Sequence, residues 1–202
     1  MYIEYLGHSC FYLKGGAFSV VIDPFSDIGY PLKRVKCDYA ISSHNHFDHN
    51  NFEGVDADEC ITSSTPIFTA IDCWHDEAEG KKRGKNTAFY FELDGLKILH
   101  LGDLGEPFGT DKERFSLPVD ILFIPVGGVY TVDAEEAYKY AEYIGARVTV
   151  IMHYATKNST VGVAPPEEYF KTCGGYTVVE NGFEITVKNI KDFPSTIKVD
   201  FE

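Results

Sequence analysis

Three imidazoles and one carboxylate fall within six residues of this 202-residue chain. His44, His46, Asp48 and His49 follow directly on residues 39–42, a short apolar run that predicts a buried strand. Three of the seven histidines lie in this cluster. Because open α/β architectures place their sites beyond the carboxyl ends of strands, the cluster predicts a functional site at that end of the strand.

The spacing of the four donors limits how they can bind a metal. Donors at four such close positions are difficult to wrap around one tetrahedral ion, so a division between two neighbouring ions is the natural arrangement. His44 and His46 are two residues apart and project to the same side of an extended segment, while Asp48 and His49 turn toward a second position. The alternative is a polar surface turn that happens to hold several histidines.

Composition excludes several classes of protein. Lys and Arg number 18 and Asp and Glu number 31, and the net charge of −13 repels nucleic-acid phosphates and anionic lipid headgroups. No apolar stretch approaches the roughly 18 residues of a membrane helix. Five cysteines without a C-x-x-C pair, and a start without a secretory pattern, favour reduced thiols and a cytoplasmic protein. We expect a small-molecule substrate, no nucleic-acid or membrane partner, and one domain over residues 1–202; the oligomeric state stays open.

Hydrophobic patterning predicts a strand-rich chain with two helices. Asp133 can cap a helix that Gly145 ends, with Glu136 placed to reach back to the cap, and a second helix is predicted over 165–173. This distribution indicates two sheets face to face with helices outside. The predicted strands are 1–6, 10–13, 17–22, 39–42, 60–62, 67–71, 87–93, 96–101, 120–126, 147–152, 176–180, 183–187 and 197–199.

The cluster resembles a known family signature. His44-x-His46-x-Asp48-His49 is similar to the H-x-H-x-D-H motif of the metallo-β-lactamase superfamily. The strands that end at residues 22–24 resemble that family's entry hairpin, and residues 100–103 and 151–153 resemble its later strand-end motifs in the same order. The resemblance covers nearly the whole chain and is closest to the compact branch of ascorbate-6-phosphate lactonase-like hydrolases. It implies an α/β fold, the four-layer αββα sandwich.

The resemblance also implies a dinuclear site. One metal would take two histidines of the cluster and a third for which His75 is the best-placed candidate; the other would take the remaining cluster residues and His153, with Asp103 bridging both. Asp48 and Asp103 would be the catalytic residues, Asp48 as a proton relay. The implied metal ligands are His44, His46, Asp48, His49, His75, Asp103 and His153.

Two divalent ions about 3.5–4 Å apart can share a water and bring its pKa near neutrality. The sequence therefore predicts a metal-dependent hydrolase that uses a dinuclear-metal-activated hydroxide on an ester-like, lactone or phosphoester bond of a small anionic substrate. Imidazole and carboxylate donors suit zinc, manganese and iron, and zinc is the first expectation. The alternatives are a mononuclear iron dioxygenase acting on a sulfur metabolite and a non-catalytic metal-binding protein.

Several residues keep two interpretations. His8 can line the pocket and His100 can orient a ligand, or each can be a buried histidine bonded to backbone. Residues 127–130 and Tyr154 are candidate pocket walls or core residues. The segment 80–86 holds four cations that can receive an anion or lie in a solvated loop: Lys81, Lys82, Arg83 and Lys85.

Overall fold

Two sheets pack face to face in the computed structural model, which describes residues 1–201. The helices are α1 (Ala134–Ile144) and α2 (Glu167–Cys173). In chain order the strands are β1 (Tyr2–Gly7), β2 (Cys10–Lys14), β3 (Ser19–Ile22), β4 (Lys36–Ile41), β5 (Asp56–Ile61), β6 (Thr69–Trp74), β7 (Lys85–Leu93), β8 (Leu96–His100), β9 (Ile121–Pro125), β10 (Val148–Met152), β11 (Thr177–Val179), β12 (Phe183–Glu184) and β13 (Thr196–Val199).

Both sheets mix antiparallel and parallel pairs. The six-stranded sheet has the order β12-β1-β2-β3-β4-β5, with β3, β4 and β5 parallel. The seven-stranded sheet has the order β11-β13-β10-β9-β8-β7-β6. Its strands β8, β9, β10, β13 and β11 run parallel to one another. This architecture confirms the predicted α/β sandwich. Within the described residues, no helix is both long and apolar enough to cross a membrane.

The core lies between the sheets and is rich in aromatic rings. Phe11 of β2 meets Phe123 of β9 across the interface, with ring centroids 4.5 Å apart, and both side chains are fully buried. Alternate residues of each strand point into this layer, so Ile3 and Leu13 contribute from the six-stranded sheet. Burial of this apolar area is the main favourable term in folding and holds the two sheets together.

Helix α1 covers the outer face of the seven-stranded sheet. The Asp133 side chain accepts a hydrogen bond of 2.9 Å from the Glu136 backbone N–H, as the sequence predicts for the cap. The prediction that Glu136 reaches back was wrong: its carboxylate accepts from the backbone N–H of Phe108 and contacts Lys139. A backbone donor elsewhere in the fold thus replaces the local one.

The outer face of the six-stranded sheet is covered by loop structure. Phe25 and Ile28, from the segment after β3, are fully buried against Val21 and Cys10, and the short 3₁₀ helix Phe52–Gly54 packs nearby. Proline and turn residues between β3 and β4 prevent a long helix here. Apolar side chains on this loop therefore do the covering that α1 and α2 do on the other side.

Edge strands depart most from the predicted bounds. β5 begins at Asp56 rather than at Cys60, because its exposed acidic residues hide the strand from any hydrophobic pattern and only Ile61 is buried. β6 extends to Trp74, three residues beyond the prediction, and β12 has two residues instead of five. Pairing with a neighbouring strand, rather than side-chain pattern, sets these bounds.

Gly102 lies two residues after β8 and packs against residues that belong to both sheet regions. Its φ is +55°, and an added Cβ would lie 2.5 Å from Asn86 Oδ1 and 2.6 Å from Ser43 Cβ. Gly145, which ends α1, has a similar φ of +64°, but its added Cβ would meet nothing nearer than 3.9 Å. A side chain at Gly145 would therefore meet backbone strain alone, whereas one at Gly102 would meet both strain and crowding.

We expect Gly102→Ala to lower the free energy of unfolding by about 2–4 kcal/mol, since left-handed strain and overpacking add. Gly145→Ala should cost only about 1 kcal/mol, because strain acts alone. Urea denaturation of the two metal-free variants measures both values. Equal losses would show that Asn86 and Ser43 do not confine this turn.

Candidate metal centre

The predicted site residues come from the carboxyl ends of strands in both sheets. His44 follows β4, His75 follows β6, Asp103 lies three residues after β8, and His153 follows β10. Parallel strands of one sheet end at a common edge, and the packing of the sheets brings both edges together. The seven predicted ligands therefore lie in one cluster.

Asp103 lies at the centre of this cluster. Its Oδ2 atom is 3.1 Å from His49 Nε2, 3.2 Å from His153 Nε2 and 3.3 Å from His75 Nε2, with His44 Nε2 at 3.9 Å. The Asp103 side chain is 2% exposed. One buried carboxylate oxygen thus contacts imidazoles that belong to both halves of the chain.

The surrounding imidazoles form two groups with the spacing of metal ligands. Donor atoms of His44, His46 and His75 all lie within 4.8 Å of one another. Donor atoms of His8, His49 and His153 do so as well.

His8 is the addition to the predicted set. Its Nε2 lies 3.4 Å from Asp48 Oδ2, and Asp48 Oδ2 lies 3.9 Å from His49 Nε2. Asp48 is therefore at the margin of the second group, with His8 beside it. A histidine two residues before β2 carries no spacing signal that relates it to the cluster, so sequence reasoning left its position open.

Contacts to the Nδ1 atoms, on the side of each ring away from Asp103, orient the imidazoles. Asp23 accepts from the backbone N–H of Ser43 at 2.7 Å and from its hydroxyl at 2.8 Å, and its Oδ2 lies 3.1 Å from His49 Nδ1. Ser43 Oγ in turn lies 2.9 Å from His44 Nδ1. The Tyr130 carbonyl oxygen lies 3.3 Å from His75 Nδ1. With Nδ1 facing an oxygen atom, the Nε2 atom of each of these three rings is the one that faces Asp103.

These nitrogens meet the requirement of a divalent metal. Among residues 1–201, His44 Nε2 is buried and has no hydrogen-bond partner, since Asp103 Oδ2 lies 3.9 Å away. A buried polar atom without a partner costs free energy, and a metal ion is the partner that such oriented Nε2 atoms suit. The cluster is therefore capable of binding metal.

Burial and the neighbouring charges set the protonation of the cluster. Burial, together with His49, holds the pKa of His44 well below its usual value, which favours the neutral ring that binds metal. Burial alone would raise the pKa of Asp103, but the imidazoles of His153 and His49 hold it well below the usual range. Burial alone would lower the pKa of His49, but Asp103 and Asp23 raise it well above its usual value.

Several residues of the site have left-handed backbones. The φ values of His8, Asp23 and His153 are +56°, +52° and +52°, a region that non-glycine residues seldom adopt. The His153 N–H donates to the His8 carbonyl at 2.9 Å and so joins the end of β10 to that of β1. Strained backbone of this kind concentrates at functional sites, where the surrounding structure holds it in place.

His100 and Tyr154 are buried structural residues, the second of the two interpretations that the sequence allows for each. His100 Nε2 lies 3.0 Å from the Ser9 carbonyl oxygen, and Nδ1 accepts from the Gly102 N–H at 3.1 Å. Both ring nitrogens are thus used to hold the backbone before Asp103. Tyr154 is buried 6.2 Å from the Tyr5 ring, in the aromatic core.

Two clefts open beside the cluster. The one we name the site cleft, of about 230 Å³, lies over the cluster and is lined by His46, Phe47, Asp48, His75, Arg83, Asp103, Val129, His153 and residues 160–163. The one we name the side cleft, of about 540 Å³, is lined by residues 42–46, Asn50, Thr62, Arg83, Lys85 and Thr87. His46 and Arg83 line both clefts and therefore mark where they meet.

Only two of the four basic loop residues reach these clefts. Lys82 pairs with Glu77 on the surface, and Lys81 is exposed and lines neither cleft. The sequence places all four cations close together, but in the folded chain only Arg83 and Lys85 line a cleft.

A pair of mixed sheets that meet over a buried imidazole and carboxylate cluster defines a metal-binding sandwich enzyme. The chain belongs to the metallo-β-lactamase superfamily, because the family's β-lactamase superfamily domain matches residues 2–153. The matched segment runs from the start of β1 to the last predicted ligand, His153. The superfamily membership that the motifs imply is thereby confirmed. Membership of the lactonase-like branch stays a prediction.

Related proteins agree with this assignment. A UPF0173 metal-dependent hydrolase of Methanoculleus marisnigri is 31% identical, with 77% of this chain and 82% of the relative covered. Another, of Pyrococcus abyssi, is 28% identical, with 85% of this chain and 92% of the relative covered. The chain is accordingly a metal-dependent hydrolase.

Solved structures show the same fold. A Thermotoga maritima protein assigned to the Zn-dependent hydrolases of the metallo-β-lactamase superfamily superposes with a TM-score of 0.80 and 28% identity, with 98% of this chain and 97% of that chain covered. The metallo-β-lactamase fold protein YhfI of Bacillus subtilis gives 0.57 and 13% identity, with 98% and 96% covered, a likeness of fold alone.

We expect Asp103→Asn to lower the pKa of His49 in the metal-free protein, because a carboxylate beside an imidazole favours its charged form. Asp48→Asn should lower it less, since Asp48 Oδ2 is 3.9 Å from His49 Nε2 and Asp103 Oδ2 is 3.1 Å away. NMR titration of the imidazole signals measures both shifts. An unchanged pKa in Asp103→Asn would contradict the central position of that carboxylate.

Proposed function

We propose that residues 1–202 form one hydrolase domain whose cluster binds two divalent ions, with zinc first and manganese or iron as alternatives. His44, His46 and His75 would hold one ion, Asp48, His49 and His153 the other, and Asp103 would bridge them. The observation that carries this proposal is the contact of Asp103 Oδ2 with imidazoles of both groups. A carboxylate in that position can contact an ion held by either imidazole group.

The chain's own residues supply orientation and proton transfer. When bound, such a pair of ions activates water and polarises a carbonyl or phosphoryl oxygen. Asp103 fixes the spacing of the two imidazole groups. Asp48 lines the site cleft, is partly exposed, and can accept a proton at Oδ2, which the His8 ring faces from 3.4 Å.

The substrate is proposed to be a small anion with an ester-like, lactone or phosphoester bond. A cleft of about 230 Å³ over the cluster admits a small group rather than a folded polymer. Bound cations at its floor attract anions even in a chain of net charge −13, because a local field outweighs distant, screened charge. The low number of basic residues argues against a nucleic-acid substrate.

The two alternatives have less support. A mononuclear iron dioxygenase needs one metal position, and the second group of imidazoles would then have no metal to bind. A non-catalytic metal-binding protein has no need of an open cleft over its ligands. The naming of the relatives as hydrolases also favours hydrolysis.

We expect the zinc-loaded protein to contain about two ions per chain and His75→Ala to contain about one, since His75 belongs to only one group. Elemental analysis after dialysis measures both. The same preparation is screened for turnover of lactones, phosphomonoesters, phosphodiesters and thioesters. A stoichiometry well below one ion, or two ions with no hydrolysis of any class, would overturn the proposal.

We expect Asp23→Asn to weaken zinc binding by about 10- to 100-fold, because the carboxylate orients His49 and, through Ser43, His44. The matched control is Asp38→Asn: Asp38 also accepts from the N–H and hydroxyl of one serine, Ser19, but lies on β4 away from the site. Competition against a chromophoric chelator measures both affinities. Equal affinities in the two variants would show that Asp23 does not act on the metal ligands.

A further inference from the structure

A single buried carboxylate shapes the loop between β6 and β7. Asp76 is fully buried, and its two oxygens accept four backbone N–H bonds of 2.7–3.0 Å from Ala78, Gly80, Lys82 and Arg83. Such a carboxylate replaces the hydrogen bonds that regular structure would otherwise supply. The loop is therefore pinned at its centre.

The loop is also tied to the metal centre at its end. The His75 N–H donates to the Gly84 carbonyl at 3.1 Å, so the loop closes back onto the residue that enters the cluster. Tyr130 provides a second tie, because its carbonyl oxygen faces His75 while its ring lies under the Arg83 guanidinium, 4.1 Å from the centroid. A stacked guanidinium loses less freedom when it binds a ligand than a free one does.

Arg83 thus stands at the junction of the two clefts with its charge available. Among residues 1–201, neither Arg83 nor Lys85 forms an ion pair at 4 Å or less. Both line the side cleft, whose lining contains serine, threonine, asparagine and histidine but no carboxylate among the described residues. In a chain with 31 acidic and 18 basic residues, a cleft with two cations and no acid has a distinct sign of charge.

The position of this charge relative to the cluster sets what it can bind. Of the two clefts, Lys85 lines only the side cleft, unlike Arg83, so an anion held between the two cations lies to one side of Asp103 at the centre of the cluster. A substrate that fills both clefts would need its charged group separated from the bond that reacts. Guanidinium and ammonium groups together match the oxygens of a carboxylate or phosphate.

We propose that the side cleft is a subsite for an oxyanion group of the substrate, bound by Arg83 and Lys85, while the bond to be hydrolysed lies in the site cleft. This assignment rests on the proposed hydrolase function and adds the place of the charged group. Arg83 and Lys85 determine specificity, and the reaction itself belongs to the cluster. The other two cations of the loop, Lys81 and Lys82, have no part in it.

Inorganic phosphate tests the subsite without turnover. Isothermal titration of phosphate into the zinc-loaded protein should give an affinity that Arg83→Ala and Lys85→Ala each weaken by about tenfold, the range of a hydrogen bond to a charged group. Lys81→Ala is the matched control, since it removes the same charge from the same loop but from neither cleft, and its affinity should equal that of the wild type. Zinc content is measured for every variant and should not change.

Turnover separates this inference from the proposed function. With 4-nitrophenyl butyrate and the 4-nitrophenyl half-ester of glutaric acid, Arg83→Ala should raise KM only for the charged ester and leave kcat unchanged. Absence of turnover for both esters in all variants would count against the hydrolase proposal, and the phosphate titration would still decide the subsite. Phosphate binding that is absent in the wild type, unchanged in Arg83→Ala, or weakened equally in Lys81→Ala would overturn the subsite.

Discussion

The centre depends on three hydrogen bonds that join the ends of the two sheets. The His153 N–H donates to the His8 carbonyl, the Thr87 N–H donates to the Ser43 carbonyl, and His100 Nε2 lies 3.0 Å from the Ser9 carbonyl oxygen. The first involves the predicted ligand His153 itself, the second involves Ser43 beside His44, and the third involves His100, three residues before Asp103. Apolar burial in the aromatic core holds the sheets together but has no preferred direction, whereas these hydrogen bonds fix the offset of one sheet relative to the other. That offset matters because an imidazole displaced by about an ångström would no longer face Asp103.

Much of this arrangement could be predicted from the chain itself. The buried strands β8, β9 and β10 appear as dense apolar runs, and α1 carries its cap and its terminal glycine in sequence. The six-residue cluster is a local pattern, so the sequence alone indicates its metal chemistry. The motif order then linked it to Asp103 and His153, which the structure brings to the same place.

The remainder depends on contacts between distant residues. His8 joins the cluster only because β1 ends opposite β10, and Ser43 acts on His44 only because Asp23 reaches it from the end of β3. The exposed acidic strand β5 has no hydrophobic period, so its length follows from pairing with β4. The cations of the 80–86 segment could not be sorted from sequence, because the shape of that segment is set by hydrogen bonds to Asp76, a buried residue that precedes it in the same loop.

Asp76 bonds only to backbone N–H groups, and this has a consequence for how such an enzyme can diversify. The side chains at Ala78, Lys82 and Arg83 take no part in those bonds, so substitution there leaves the shape of the loop intact. Of the predicted metal ligands only His75 belongs to this loop, and its backbone N–H bonds to the Gly84 carbonyl rather than to Asp76. Selection can therefore exchange a residue such as Arg83, which lines both clefts, and redirect the enzyme to new substrates while the backbone of the loop keeps its shape.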